Sequence, residues 1–263
     1  MFSLVALSPH VESVSVLGVK TTPFESVEHA ARYARNRIAT GRKTFCVAVN
    51  PEKVERARQD PALKRVIEEA DIRLCDGIGI ALASLILNKL RLARCTGVDL
   101  FFELVRTAAI ENWSVFLLGA SEESNEGAQQ QLLRLFPGLS ISGRQSGYFE
   151  NSAELVEKVN ASGAHMLFVA MGSPRQELWI AEYRNRLKPL FIMGVGGSFD
   201  VLSGGTRRAP ILFRKTGTEW LYRLMTEPRR MRRQLVLPAF VFHVLAQFFG
   251  LHVTPLGRSR KTS

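Results

Sequence analysis

The chain has 263 residues, 46% of them hydrophobic, which is enough to bury a core and excludes a globally disordered protein. Its net charge of +11 is unevenly placed: residues 206–263 hold twelve Lys/Arg against Glu219 and Glu227, a net +10, whereas the first 205 residues set 23 bases against 22 acids, a net +1. Cys46, Cys75 and Cys95 have no zinc-type spacing and read as reduced thiols of a cytoplasmic compartment.

No Lys or Arg precedes Lys20 and the stretch lacks a clean apolar core, so no signal peptide is expected there. Val14 to Val19, broken by Gly18, reads as one or two strands. Ser26 is placed to cap a helix to about Ile38, with Val27, Ala30, Ala31, Ala34 and Ile38 facing inward. Phe45 to Val49 is an apolar strand ending in Asn50-Pro51, and the proline suits the first turn of a helix from Glu52 to Arg58. Asn50 itself reads first as a turn or cap residue. Pro61 to Ala70 is helical, with Leu63, Val66, Ile67 and Ala70 on one face, and Ile72 to Cys75 is a short strand.

Cys75-Asp76-Gly77-Ile78-Gly79 follows, and the chain is organised around it. Ligands of open α/β sheets sit beyond the carboxyl ends of the strands, so Asp76 would project into a crevice. Gly77 and Gly79 would let a ligand approach the backbone. The plainer reading makes Asp76 the N-cap of the helix that begins near Ile78. The segment Ile80 to Leu90 is mostly apolar and expected to be buried. Arg94 to Asp99 is a loop leading to a helix from Leu100 to Ile110, with Thr96 or Asp99 as its cap; Arg94 reads as a surface salt bridge or as a phosphate contact.

Strands then alternate with helices. Ser114 to Leu118 is a strand, and a polar helix follows to about Phe136. A strand lies near Leu139 to Ser142, a helix over Glu154 to Asn160, and a strand over His165 to Ala170. A helix from Arg175 to about Leu187 precedes the strand Leu190 to Met193. This rhythm predicts an α/β fold with a parallel sheet and helices on both faces. Four strand ends carry Gly with polar neighbours, at Asp76, Gly119, Gly172 and Gly194, and together read as a binding rim. Backbone N–H groups at such turns, with helix dipoles behind them, favour a phosphate-bearing ligand.

The sequence contains no G-x-x-x-x-G-K-[ST] and no G-x-G-x-x-G after the first strand; Gly194-Val195-Gly196-Gly197 is a fragment of the latter. Asp-x-Asp pairs, metal-ligand clusters and a Gly-x-Ser-x-Gly elbow are also missing, which argues against a P-loop ATPase, an obligatory divalent ion and a serine hydrolase. In the basic tail, an amphipathic helix starts at Thr218 and continues into Glu227 to Arg233, and Leu235 to Val253 then runs without a charge. His243, Gln247, Gly250 and Thr254 fall on one helical stripe, so the run is expected to lie in a membrane interface, although its length also suits a span. Flanking Arg and Lys would meet anionic headgroups. A nucleic-acid patch would explain the charge but not the phenylalanine-rich run.

Taken in order, several motifs resemble the WecG/TagA/CpsF family of bacterial glycosyltransferases, over roughly Phe45 to Arg233. They are Asn50-Pro51-Glu52, Asp76-Gly77-Ile78-Gly79, Arg94-x-Thr96-Gly97-x-Asp99-Leu100, Gly172-Ser173-Pro174-Arg175-Gln176-Glu177, Gly194-x-Gly196-Gly197-x-Phe199-Asp200, Arg208-Ala209-Pro210 and Glu219-Trp220-Leu221-Tyr222-Arg223. The resemblance implies a Rossmann-like catalytic domain over 1–205 and a basic, amphipathic helical appendage over 206–263 that docks on the membrane. It implies transfer of a sugar from a UDP-sugar to a polyprenyl-diphosphate-linked saccharide at the cytoplasmic membrane face, inverting and without a metal or other cofactor. Asp76 matches the general base, Asn50 and Arg94 match active-site residues, and Gln176 is kept from the family's Pro-Lys-Gln-Glu loop. Gly77, Gly119, Gly172, Gly196 and Asp200 are then expected at the UDP-sugar, and Arg223, Arg230 and Arg233 at the lipid diphosphate. A homo-oligomer is compatible with this reading; a nucleic-acid partner is not expected. The family often has Thr-x-Asn where this chain has Ala48-Val49-Asn50, so a hydroxyl beside the transferred sugar is missing. The alternative is a non-catalytic nucleotide- or lipid-sensing protein on the same scaffold.

Overall fold

The computed structural model describes residues 13–206, 208–226 and 235–251, with the backbone alone for Arg214, Lys215 and Arg223. It opens with a hairpin, β1 (Val14–Val16) and β2 (Val19–Thr21), which the valine-rich start had suggested as one or two strands. Ser26 caps α1 (Val27–Ala39), its hydroxyl accepting from the His29 N–H, and Ala30, Ala31, Ala34 and Ile38 are buried as the spacing predicts.

The body is a six-stranded parallel sheet in the order β4 (Ile72–Cys75), β3 (Thr44–Val49), β8 (Phe191–Gly194), β7 (Met166–Ala170), β5 (Ser114–Gly119) and β6 (Ser140–Gln145). Strands β3, β7 and β8 are buried along their whole length, as expected for a sheet covered on both faces. One face carries α2 (Pro51–Gln59), α3 (Pro61–Glu68), α4 (Ile78–Asn88), α7 (Ser152–Ala161) and α8 (Arg175–Tyr183). The other carries α1, α5 (Gly97–Glu111), α6 (Glu122–Leu135) and α9 (Ser198–Leu202). Phe101 and Phe168 meet edge to face at 4.7 Å in the second layer, and truncating either to Ala would cost about 3–5 kcal/mol.

Adjacent strands β3 and β8 send their following helices to opposite faces: α2 packs in the first layer and α9 in the second. That divergence opens a crevice at the carboxyl edge of the sheet, where such folds hold ligands.

Two expectations need correction. The helix after Arg175 ends at Tyr183, short of Leu187, although Leu187 is still buried. The segment from Ile80 to Leu90 is not buried throughout. Ile80, Ala83 and Ser84 face the core, while Leu82, Leu85 and Ile86 are 49%, 46% and 39% exposed. An apolar run shows no period, so it could not reveal that only one face had a partner.

Beyond the sheet lie α10 (Ile211–Lys215), α11 (Glu219–Thr226) and α12 (Val236–Phe248). The last packs on α2 and α4: Phe240 and Val244 join the core, and His243 Nδ1 lies 2.9 Å from Glu55 Oε1. His243 therefore faces inward rather than along a solvent stripe, and Val241, Phe242, Leu245, Phe248 and Phe249 are left outside. Among the described residues, no helix is long and apolar enough to cross a membrane.

Candidate active site

Asn50 and Asp76 stand at the ends of neighbouring strands, because Val49 and Cys75 are partners in the β3–β4 register. The Asp76 N–H donates to the Val49 carbonyl (2.9 Å), tying the two strand ends together. Asn50 is indeed a cap: its Oδ1 accepts from the Lys53 N–H (2.9 Å), with Pro51 in the first turn of α2. Asp76 is not. The N-cap of α4 is Gly77, at φ +100°, so Asp76 stands one residue ahead of the cap position. A residue with a Cβ would be strained in that conformation. The plainer reading of Asp76 therefore fails, and its half-buried carboxylate lies at the crevice.

Gly79 brings the strand-end turns of Asn50 and Asp76 together. A Cβ there would sit 2.7 Å from Pro51 Cγ, so only glycine lets α4 lie this close to the start of α2. From the other layer, α5 aims its N-terminus at the same place. A Cβ on Gly97 would lie 3.1 Å from the Ala48 Cβ and 3.9 Å from Asp76 Oδ2. Thr96 caps α5, accepting from the Asp99 N–H (3.1 Å) and donating to Asp99 Oδ2 (2.7 Å). Half-buried Arg94 lies just before, in a loop pinned by the Cys95 N–H to the Cys75 carbonyl (2.9 Å). Burial, then the Asp76 carboxylate, push the Cys75 thiol up to about 12, against the opposing pull of Arg94. Burial likewise raises Cys95 to about 11, with Glu28, Asp76 and Asp99 adding and Arg94 opposing. Both thiols are neutral neighbours of a charged site.

On the far side of the crevice, Gln176 is 2% exposed and fully engaged. Its Oε1 accepts from the Gly196 N–H (3.1 Å) and its Nε2 donates to Glu177 Oε1 (2.8 Å), so it brackets the turn after β8. Beneath it lies an ion pair that the sequence reading did not anticipate. Lys53 Nζ is 2.8 Å from Glu177 Oε1 and donates to the Ala48 carbonyl (2.7 Å). Burial alone would raise the Glu177 carboxyl, but Lys53 and the hydrogen bonds from Lys53 and Gln176 hold it below the ordinary value. The signal available in the sequence was a lysine in the first turn of a helix, where the dipole disfavours a cation unless a buried partner holds it. Arg56 of the same helix donates to the Ser173 carbonyl (2.9 Å), fixing the loop that contains Gly172.

Gly119 lies further along the edge, past β7, and half-buried Asp200 sits in α9. The structure therefore brings together Asn50, Gly77, Asp76 and Arg94 on one side, and Gly172, Gln176 and Gly196 on the other. The segment after α9 closes over the site. Arg208 pairs with Asp99 and stacks its guanidinium 5.7 Å over the Phe102 ring. Buried Gly217, ahead of α11, approaches Ile78 so closely that a Cβ on it would lie 2.9 Å from the Ile78 Cβ. Arg230 and Arg233 lie outside the described residues, as does the side chain of Arg223. Among the described residues, no three His, Cys, Asp or Glu side chains are grouped as a metal site.

The family model described as Glycosyl transferase WecG/TagA/CpsF family matches residues 14–253. A Bacillus spizizenii protein named N-acetylglucosaminyldiphosphoundecaprenol N-acetyl-beta-D-mannosaminyltransferase is 40% identical over 201 residues, 76% of this chain and 78% of its own length. Proteins of the same name from Staphylococcus aureus strains MRSA252 and NCTC 8325 are each 34% identical over 235 residues, 88% of this chain and 91% of theirs.

Proposed function

This chain belongs to the WecG/TagA/CpsF family of glycosyl transferases, and from that premise we propose that it moves N-acetylmannosamine from its UDP-sugar to N-acetylglucosaminyl-diphosphoundecaprenol. The relatives' printed names support the transferred sugar and the acceptor; the phosphate-binding character of the rim supports a nucleotide donor. The observation that carries the reading is Asp76, a carboxylate at the crevice, one residue ahead of the N-cap of α4 and beside Asn50.

Asp76 takes the proton from the acceptor hydroxyl as that oxygen attacks the anomeric carbon from the side opposite UDP. The bond from that carbon to the UDP phosphate oxygen breaks, and configuration inverts. A positioned base of this kind typically contributes about 10²–10⁴-fold. The charge developing on UDP is met by the N-terminus of α5, by the N–H groups of the rim turns at Gly77, Gly119 and Gly172, and by Arg94, while the Gly196 N–H is held by Gln176 and shapes the turn. No metal is required. Gln176 acts through Gly196, and Asp200 contributes to the nucleotide region.

Residues 206–263 form the membrane-docking part at the cytoplasmic face. Their +10 charge suits anionic headgroups, and Arg223, Arg230 and Arg233 would fork onto the acceptor's diphosphate. The closeness of Gly217 to Ile78 and the Arg208–Asp99 pair support a segment that completes the site.

The test is Asp76→Asn, which keeps the shape. It should bind UDP as the parent does and lose transfer by at least about a hundredfold. Transfer at the parent rate would make Asp76 structural. UDP binding without release, across a panel of UDP-sugars and lipid-diphosphate acceptors, would favour the sensor instead. Activity lost on chelation and restored by magnesium would overturn the metal-free step.

A further inference from the structure

Among the described residues, the exposed face of α4 has no partner. This helix begins two residues after Asp76, carries no charged residue from Ile78 to Asn88, and turns Leu82, Leu85 and Ile86 outward. Exposed Leu90 continues the patch, and exposed Lys89 and Arg91 stand at its end. Alongside lies α12, with the Phe240 ring 3.7 Å from where a Cβ on Gly79 would be. The outer face of α12 adds Val241, Phe242, Leu245 and Phe248 to the same apolar surface. Contiguous exposed apolar patches of this kind mark interaction sites.

We propose that α4, in the body of the catalytic domain, inserts its outer face into an anionic lipid bilayer. Three observations favour lipid over protein. The charges at the end of α4 are cations, matching anionic headgroups. The patch continues onto a second helix, α12, that carries no Lys, Arg, Asp or Glu. A helix with one buried face and one apolar outer face, with Lys89 and Arg91 at one end, is built to lie in the headgroup–acyl boundary. This inference rests on the lipid-linked acceptor proposed above and deepens it. Because α4 starts at Ile78, two residues after Asp76, its depth in the bilayer fixes the height of Asp76 over the headgroups, where the acceptor diphosphate lies. The catalytic base would be registered to the membrane by the body itself and not by the basic tail alone.

The test uses the full chain with Leu82→Gln, Leu85→Gln and Ile86→Gln together. All three side chains are already substantially exposed, so the fold and UDP affinity should be unchanged. Partitioning onto vesicles of phosphatidylglycerol and phosphatidylethanolamine should weaken roughly tenfold or more. Transfer to the vesicle-borne acceptor should fall in parallel, while transfer to a short-chain, water-soluble acceptor stays at the parent rate. A second variant, Leu85→Cys, can be labelled selectively because the three native thiols are buried. Its fluorophore should shift to the blue on vesicles and be quenched by lipids carrying a spin label in the upper acyl chain. Unchanged partitioning of the triple variant, or a label that stays unquenched, overturns the proposal. So does a change of oligomeric state with vesicle binding intact, which would assign the face to a second copy of the chain. If the parent does not turn over the soluble acceptor, the proposed reaction fails, while flotation and quenching still decide the role of α4.

Discussion

Replacing Lys53 by Met would test whether the crevice rests on a buried charge. Lys53 is 6% exposed and Glu177 1%, and the ammonium lies 2.8 Å from one carboxylate oxygen. Met fills much the same space but leaves the carboxylate without its cation. Breaking a buried pair in this way costs about 3–5 kcal/mol. At about 2–4 °C per kcal/mol for a protein of this size, the melting midpoint should drop by roughly 6–20 °C. The pH dependence gives an independent sign. In the parent, the Glu177 carboxyl is held below its ordinary value, so its contribution is fully present above the unfolded-state value of about 4.3 and fades as pH falls through the lowered folded one. Without Lys53, burial dominates and the folded carboxyl prefers its proton, so the variant's deficit should shrink as pH falls below neutrality. Urea unfolding followed by tryptophan fluorescence at pH 7 and pH 4.5 measures both effects. Combining Lys53→Met with Glu177→Leu should recover most of the loss, because an apolar pair leaves no buried charge. A single-variant deficit under about 1 kcal/mol, or one that grows on acidification, would refute the reasoning.

Three further outcomes are expected. Gly79→Ala forces α4 away from Pro51, which should cost about 1–3 kcal/mol and lower kcat more than UDP affinity; calorimetry and steady-state rates separate the two. Asn50→Ala removes the α2 cap and should cost about 1 kcal/mol in urea unfolding, with a larger loss of transfer than that instability explains. The native protein should not react with Ellman's reagent at pH 8, because burial holds Cys75 and Cys95 at about 12 and about 11 and also raises Cys46; absorbance at 412 nm in urea should then report three thiols.

The strands and caps were legible because they obey local rules. The Ser26 and Thr96 caps, Pro51 in a first turn, and the strand from Ile72 to Cys75 all sit where the sequence put them. The crevice was legible because an alternating parallel fold places every strand-to-helix turn on one edge. What stayed hidden was the choice among partners. Asp76 before a glycine and a helix looks like a cap, and only the backbone conformation of Gly77 rules this out. Lys53 and Glu177 lie far apart in the chain, and no periodicity announces that they meet. His243 fell on a polar stripe that faces Glu55 rather than water, and α4 looked buried because apolar content does not reveal how many sides of a helix are covered.

The pairing of β3 with β8 also bears on how the protein is made. Thr44 is matched with Phe191, so one wall of the crevice emerges from the ribosome early in synthesis and the other only after nearly three-quarters of the chain. Until β8 arrives, β3 has β4 on one side and, on the other, an unpaired backbone edge on a strand that is apolar from Phe45 onward. Such long-range parallel pairings form slowly, and an open edge is a template for aggregation while it waits. A nascent chain stalled at Leu190 would already contain Asn50, Asp76, Arg94 and Gln176, yet it would have no crevice to put them in and a sticky strand to protect.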